Sequence, residues 1–196
     1  MHVEDAQLVQ RCLEGDTDAF GKLVESYQGA VFATAYYYAG RYGAAEDIAQ
    51  DAFLEAYRNL RNLRDPNRFG PWLKELTCRT SANWLRKHGK RLQNETPLPY
   101  RRTISIEDAR LGPEQLSERN EKIERINRAI DALPERYRLP VVLRYLQELS
   151  YHEISEFTGE SKDEIRGVLE RASRLMRDIL EGRSSEEQDT WRRVRE

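Results

Sequence analysis

Two S-x-x-E motifs flank a single glycine in the C-terminal part of this 196-residue chain and define two consecutive helices. Ser150 with Glu153 begins a short helix, Gly159 ends it, and Ser161 with Glu164 begins a longer one. In each motif the serine oxygen accepts a hydrogen bond from a backbone N–H that the helix leaves unpaired, and the glutamate reaches back to the serine. The spacing predicts a helix-turn-helix.

The second helix of this pair is strongly amphipathic, with apolar residues at steps of three and four between Ile165 and Ile179. Its other face carries five basic residues: Lys162, Arg166, Arg171, Arg174 and Arg177. Cations on the outer side of a second helix suit the DNA major groove, because phosphates supply affinity and arginine or lysine pairs with guanine edges. The alternative is an ordinary solvated face, since Asp163 and Glu170 lie among these cations and repel phosphate.

The overall composition limits the classes of function. The chain has 32 lysines and arginines against 34 aspartates and glutamates, so its net charge is −2 and any DNA contact must be local or assisted by a partner. Scattered cysteines and histidines, and the lack of a glycine-rich phosphate loop, predict no enzyme activity, metal, cofactor or small-molecule substrate. The absence of a membrane span or secretion signal predicts a cytoplasmic protein.

Helical periodicity dominates the chain and predicts an all-α fold of two small helical domains. An N-terminal bundle is expected over residues 1–92. An irregular linker over residues 93–117 contains Pro97, Pro99 and Pro113, which interrupt the periodicity. The helix-turn-helix domain is expected over residues 118–181, and a polar tail of residues 182–196 follows.

The third helix of the bundle has an apolar stripe between Ala45 and Leu60, which includes Tyr57 and is expected to pack on the neighbouring helices. Its opposite face is acidic with one leucine, and this acidic ridge comprises Asp47, Gln50, Asp51, Leu54 and Glu55. Such a ridge increases solubility, or it docks a basic partner helix, in which case Leu54 is a contact residue.

The fourth helix is basic. The basic and amide residues in and just before it are Arg64, Asn67, Arg68, Arg79, Asn83, Arg86, Lys87, His88, Lys90 and Arg91. Cations beside amides and aromatic rings suit a separated DNA strand, whose phosphates need positive charge and whose bases need flat surfaces. Trp72 and Trp84 occur in the same helix, but their spacing places both rings in the core and leaves the cations for DNA.

The chain resembles the extracytoplasmic-function sigma factors, the two-domain promoter-recognition subunits of bacterial RNA polymerase. The resemblance covers most of residues 5–180 and lies in the order and spacing of several short motifs. These are GDTDAF at 15–20, AEDIAQDAFLEAY at 45–57, FGPWLKEL at 69–76, NWLRK at 83–87, ALPERYR at 132–138, LSYHEISEFTG at 149–159 and LERAS at 169–173.

The resemblance implies a role for each surface. The acidic ridge would bind the clamp helices of the largest subunit of core polymerase. The loop from Arg64 to Arg68 would capture a flipped base of the melted minus-ten element, and four residues would hold the adjoining DNA: Arg79, Asn83, Arg86 and Lys87. The minus-thirty-five element would be contacted by Lys162, Arg166, Arg171 and Arg174. An anti-sigma factor is the expected antagonist.

Two other classes of function remain open from the sequence. A sigma-like decoy would bind an anti-sigma factor without touching DNA, and the acidic start of the second helix, with Gly167 and Val168 where relatives often carry a polar residue and a base, favours it. The basic surface from Arg79 to Arg91 favours a true sigma factor. A helix-turn-helix repressor would need a ligand pocket or dimerisation signature that the first domain lacks.

Overall fold

The protein is described here by a computed structural model of residues 2–39, 42–92, 121 and 125–182; the side chains of residues 2, 3, 42 and 89–92 are outside that description. In these residues the first group of helices comprises α1 (His2–Leu13), α2 (Thr17–Ala39), α3 (Tyr42–Asn59) and α4 (Phe69–Leu92). Two short 3-10 helices, Leu60–Asn62 and Pro66–Arg68, connect α3 to α4. This group is the predicted N-terminal bundle.

The second group comprises α5 (residues 125–132), α6 (Glu135–Val141), α7 (Tyr151–Thr158) and α8 (Lys162–Leu180). All regular elements in the described residues are helical, and the predicted all-α fold of two helical domains is confirmed. None of the described helices is both long and apolar enough to cross a membrane. The predicted linker, residues 93–117, and the tail after Gly182 lie outside the described residues.

Helix α2 is the centre of the N-terminal bundle, and α1, α3 and α4 all pack against it. Leu23 and Val31 of α2, Ile48 of α3 and Leu73 of α4 are fully buried, as their apolar stripes require. Asp16 caps α2, because its Oδ1 accepts the backbone N–H groups two and three residues further on at 3.0 and 3.2 Å. A hydrogen bond from Arg11 lowers the pKa of Asp16.

Helix α6 continues directly into a π-helical turn over Val142–Leu146. Pro140 lies inside this helix and removes one backbone donor, and the chain then leaves the helix through Glu148, whose φ is +57°. Val142 and Leu143 are buried. On α5, Ile126 is exposed while Ile130 is buried.

Both predicted capping boxes are present. The backbone N–H of Glu153 donates to Ser150 Oγ at 3.2 Å, and the Ser150 backbone N–H donates to the Glu153 carboxylate at 2.7 Å. Ser161 and Glu164 make the same two bonds at the same distances. Gly159 takes a left-handed φ of +79°, which a side chain disfavours, and it ends α7 as the sequence predicts.

We expect Ser161→Ala to reduce the free energy of unfolding by about 1 kcal/mol, because α8 loses its N-cap acceptor. Ser26→Ala is the matched control: Ser26 is exposed within α2 and donates only to its own helix, to the Lys22 carbonyl. The control should change stability by less than about 0.5 kcal/mol. Urea unfolding followed by circular dichroism measures both, and equal losses in the two variants would contradict the capping role.

Candidate protein-docking and nucleic-acid surfaces

The acidic ridge on α3 is accessible. Asp47, Gln50 and Asp51 are exposed, and Leu54 keeps 51% of its surface in contact with solvent. This orientation follows from the opposite side of the helix, where Ala45, Ile48, Ala52 and Ala56 are completely buried against the bundle. A leucine that is half exposed among carboxylates is suited to contact a partner that carries both apolar and basic groups.

Tyr57 differs from its prediction. The sequence places it in the buried stripe of α3, but 46% of its surface is exposed. Its ring approaches Phe20 edge-on, with ring centroids 5.0 Å apart. Leu54 and Tyr57 are three residues apart and therefore neighbours on one side of the helix. They form an exposed apolar pair that extends the acidic ridge. The exposure of Leu54 agrees with its predicted place on the ridge, whereas the three-and-four periodicity wrongly assigned Tyr57 to the core.

Glu55 connects the ridge to the basic helix α4. The Arg79 guanidinium donates to Glu55 Oε1 at 2.7 Å, and the Thr80 hydroxyl lies 3.1 Å from Glu55 Oε2. The Glu55 side chain is partly buried, with 35% of its surface exposed, whereas the Arg79 side chain is 63% exposed. One residue of the predicted docking surface thus orients one residue of the predicted DNA surface, a pairing between different helices that sequence spacing could not indicate.

The loop before α4 is built around Asp65. Its Oδ1 accepts hydrogen bonds from both the backbone and side-chain N–H groups of Asn67, each at 3.0 Å, and Pro66 begins the short 3-10 helix that follows. Helix α1 packs against this turn. Arg64 and Arg68 are exposed on either side. The loop therefore has a fixed shape with two accessible cations, and Asn67 is held by Asp65 through its amide nitrogen.

Along α4, Arg79, Arg86 and Lys87 are exposed, and Asn83 accepts a hydrogen bond from Arg86. The two tryptophans are placed as predicted. Trp72 packs against the main core with its ring 5.9 Å from Phe69, and Trp84 packs against a smaller cluster of buried residues at the other end of the bundle. The cationic side of α4 is consequently its exposed side.

His88 belongs to the predicted basic surface of α4. Its ring stacks on Trp84 with centroids 4.5 Å apart, so it covers the half-buried indole beside Arg86 and Lys87. The i, i+4 spacing of the two rings on one helix is the sequence signal that could have indicated this pair.

On α8 the predicted DNA residues are all exposed: Lys162, Arg166, Arg171 and Arg174. Arg166 approaches Asp163 at 3.2 Å, but both side chains are more than half exposed, so this ion pair is weak. Glu164 is engaged in the cap, where the Ser161 backbone N–H lowers its pKa. Glu164, one of the two acidic residues at the start of α8, therefore stabilises the N-terminus of the helix.

The described residues contain no group of three or more histidine, cysteine, aspartate or glutamate side chains able to hold a metal ion. Cys12 and Cys78 are both free thiols in the described structure. Burial raises the pKa of each thiol, which lowers its reactivity at neutral pH.

Comparison with known proteins gives two family models in sequence order. Residues 23–91 match the model described as Sigma-70 region 2, and residues 123–176 match Sigma-70, region 4. The ECF RNA polymerase sigma-E factor of Escherichia coli K12 is 32% identical over 176 residues, covering 86% of this chain and 90% of that protein. The ECF RNA polymerase sigma factor SigE of Mycolicibacterium smegmatis is 30% identical, and this chain spans 64% of its length.

A solved structure, CnrH in complex with the cytosolic domain of CnrY, has the same fold. It aligns with a TM-score of 0.58 over 92% of this chain and 99% of the matched chain, at 22% sequence identity.

We expect a double-mutant cycle on Glu55→Gln and Arg79→Gln to give a coupling free energy of up to about 1 kcal/mol, because both groups are partly exposed. Glu46→Gln, at an exposed position on the same helix, is the control and should not couple to Arg79→Gln. Urea unfolding of the single and double variants measures the cycle. If the stability losses of Glu55→Gln and Arg79→Gln simply add in the double variant, the contact between the two side chains does not persist in solution.

Proposed function

Because this chain belongs to the extracytoplasmic-function RNA polymerase sigma factors, we propose that it directs core polymerase to promoters through the three surfaces described above. The observation that supports this proposal is that the two matched regions contain the three surfaces. The region 2 match contains the acidic ridge and the basic face of α4, and the region 4 match contains the basic face of α8. The chain supplies recognition, and catalysis belongs to the polymerase.

The acidic ridge is the proposed site for the clamp helices of the largest polymerase subunit. Asp47, Gln50, Asp51 and Leu54 are the contact residues, and Glu55 lies at the edge, where it also holds Arg79. Opposite charge on the partner would accelerate encounter, and desolvation of Leu54 and the neighbouring Tyr57 would slow dissociation.

The loop from Arg64 to Arg68 and the basic face of α4 are the proposed site for the minus-ten element. The fixed turn presents Arg64 and Arg68 to the phosphates beside a flipped base, and Asn67 supplies a polar group at the same point. The adjoining strand would lie along Arg79, Asn83, Arg86 and Lys87. Such a surface binds an opened strand through charge, and base contacts add the sequence preference.

Helix α8 is the proposed reader of the minus-thirty-five element. In helix-turn-helix proteins the residues near the start of the second helix reach base edges, so Lys162 and Arg166 are the proposed base contacts. Arg171 and Arg174, farther along α8, would contact phosphates. The surface is only weakly cationic, since α8 carries five basic and four acidic residues.

The domain boundaries follow the same division. We propose a core-binding and minus-ten domain over residues 1–92, a linker over 93–117, a minus-thirty-five domain over 118–181 and a tail over 182–196. Because the proposed polymerase partner acts in the cytoplasm, the cytoplasm is also the proposed site of action of this chain. An anti-sigma factor is the proposed antagonist.

We expect the purified chain with core polymerase to open and transcribe promoters selected from a random DNA library. With a net charge of −2, the chain alone should bind the same DNA poorly, because its cationic surfaces are small and local. Permanganate footprinting and run-off transcription report opening and initiation. If no library sequence is opened while the chain still binds core polymerase, the chain is a decoy and the proposed function is wrong.

A charge reversal tests the docking surface. Asp51→Lys with Leu54→Lys should lower affinity for core polymerase by at least about 100-fold, since it places like charges against a basic partner and removes the apolar contact. Asp131→Lys with Ala132→Lys, at exposed positions on α5, changes the net charge equally and should leave affinity unchanged. Titration with labelled core measures both, and circular dichroism monitors the fold. Equal affinities for the two variants would remove the docking assignment.

A further inference from the structure

Glu55 differs from the rest of the acidic ridge in its burial. The other four ridge residues are exposed, whereas Glu55 is partly buried because it lies on the side of α3 that contacts α4. The residue that follows it, Ala56, is completely buried in the bundle. Glu55 is therefore less accessible to a docking partner than its neighbours, and its carboxylate faces a different helix.

Two side chains of α4 hold the Glu55 carboxylate, one at each oxygen. The Arg79 guanidinium donates to Oε1 at 2.7 Å, and the Thr80 hydroxyl approaches Oε2 at 3.1 Å. Thr80 is itself fixed, because it is 9% exposed and its hydroxyl also lies 3.0 Å from the Leu76 carbonyl oxygen one turn earlier. The carboxylate consequently has a defined position between the two helices.

The contact fixes the Arg79 guanidinium without covering it. Among the described residues this guanidinium bonds to Glu55 through Nη2 alone, and most of the side chain is exposed. A guanidinium has five N–H donors in a rigid fork, so the other donors remain available to a phosphate. An arginine that is already held in one direction loses less conformational entropy on binding than an arginine that moves freely.

Arg79 is in line with a second arginine that is held in a similar way. Arg86 is seven residues further along α4, which is nearly two helical turns, so the two side chains share one side of the helix about 10 Å apart along its axis. Asn83 Oδ1 accepts a hydrogen bond from Arg86. Phosphates of a stacked strand are about 3.4 Å apart, so the two arginines match phosphates about three nucleotides apart.

We propose that Glu55, together with Thr80, is a positioning residue for the minus-ten strand: it directs Arg79 toward one phosphate of the separated strand and contributes little to polymerase docking. The inference rests on the proposed assignment of the basic face of α4 to the minus-ten element. Glu55 acts through Arg79 and makes no contact with DNA itself.

Removal of Glu55 should change DNA binding in the direction opposite to that expected from charge alone. A carboxylate near the path of the phosphates repels them, so charge alone predicts stronger binding when Glu55 is removed. At about 0.15 M salt the Debye length is about 8 Å, which screens this repulsion between exposed groups. The contact between Arg79 and a phosphate is direct and depends on orientation, so we expect the loss of positioning to dominate.

Glu55→Ala tests the positioning role in the full-length chain with core polymerase. Alanine suits a helix, and Thr80 keeps its bond to the Leu76 carbonyl oxygen. The control, Glu46→Ala, removes the same charge from an exposed position of α3. At saturating core polymerase, permanganate footprinting should show about fivefold less promoter opening for Glu55→Ala and no change for the control. Opening by Glu55→Ala that equals or exceeds that of the wild type would overturn the proposal.

Two further measurements on the same variant separate positioning from docking and from a structural effect. Titration with labelled core polymerase should give an affinity within about twofold of the wild type, and a loss of tenfold or more would assign Glu55 to docking instead. In a chain that already contains Arg79→Gln, Glu55→Ala should reduce opening by less than about twofold. A full further loss in that background would show that Glu55 does not act through Arg79.

Neutral phosphates identify the contact directly. A methylphosphonate placed at single positions of the minus-ten strand should reduce opening by the wild type about fivefold at one position. At that position it should reduce opening by Glu55→Ala and by Arg79→Gln less than twofold, because neither variant makes the contact. If Glu55→Ala is as sensitive as the wild type at every position, the positioning role is wrong.

Failure of this inference is distinguishable from failure of the proposed function. If the wild-type holoenzyme opens no promoter, or if Arg79→Gln opens promoters as well as the wild type, the assignment of α4 to DNA fails and the role of Glu55 fails with it. If Arg79→Gln loses opening and Glu55→Ala does not, the function stands and the positioning role is wrong.

Discussion

The close packing of α7 on the start of α4 determines how the two halves of this molecule are arranged. Gly70 has no side chain, so the backbone of Glu156 can approach to a distance that excludes any other residue. That approach brings Phe157 beside Tyr27 and allows one apolar core to extend from the first domain into the second. The position of α8 relative to the loop before α4 is a consequence of this contact.

Electrostatics are arranged locally on this nearly neutral chain. The acidic ridge on α3 and the basic face of α4 lie on adjacent helices, and the Glu55–Arg79 contact joins them at their boundary. A chain with net charge −2 has no long-range attraction for DNA, which makes recognition dependent on a larger assembly. A small protein can therefore be soluble, bind polymerase and contact a promoter. It can do so without strong nonspecific binding to nucleic acid.

The two halves of the proposed function place different demands on the structure. Docking needs an accessible ridge, which the buried alanine-rich stripe of α3 provides by fixing the helix orientation. Promoter reading needs accessible cations, which the exposed basic residues of α4 and α8 supply.

The sequence by itself determined the helices, their caps and the exposed charged faces. The capping boxes at Ser150 and Ser161 and the stripe of α3 depend on residues three or four apart, and such local interactions can be identified along the chain. Only the tertiary structure decided the exposure of Tyr57, the contact between Glu55 and Arg79, and the junction at Gly70. These features join residues distant in sequence, and their geometry depends on how whole helices pack, which periodicity along one helix does not specify.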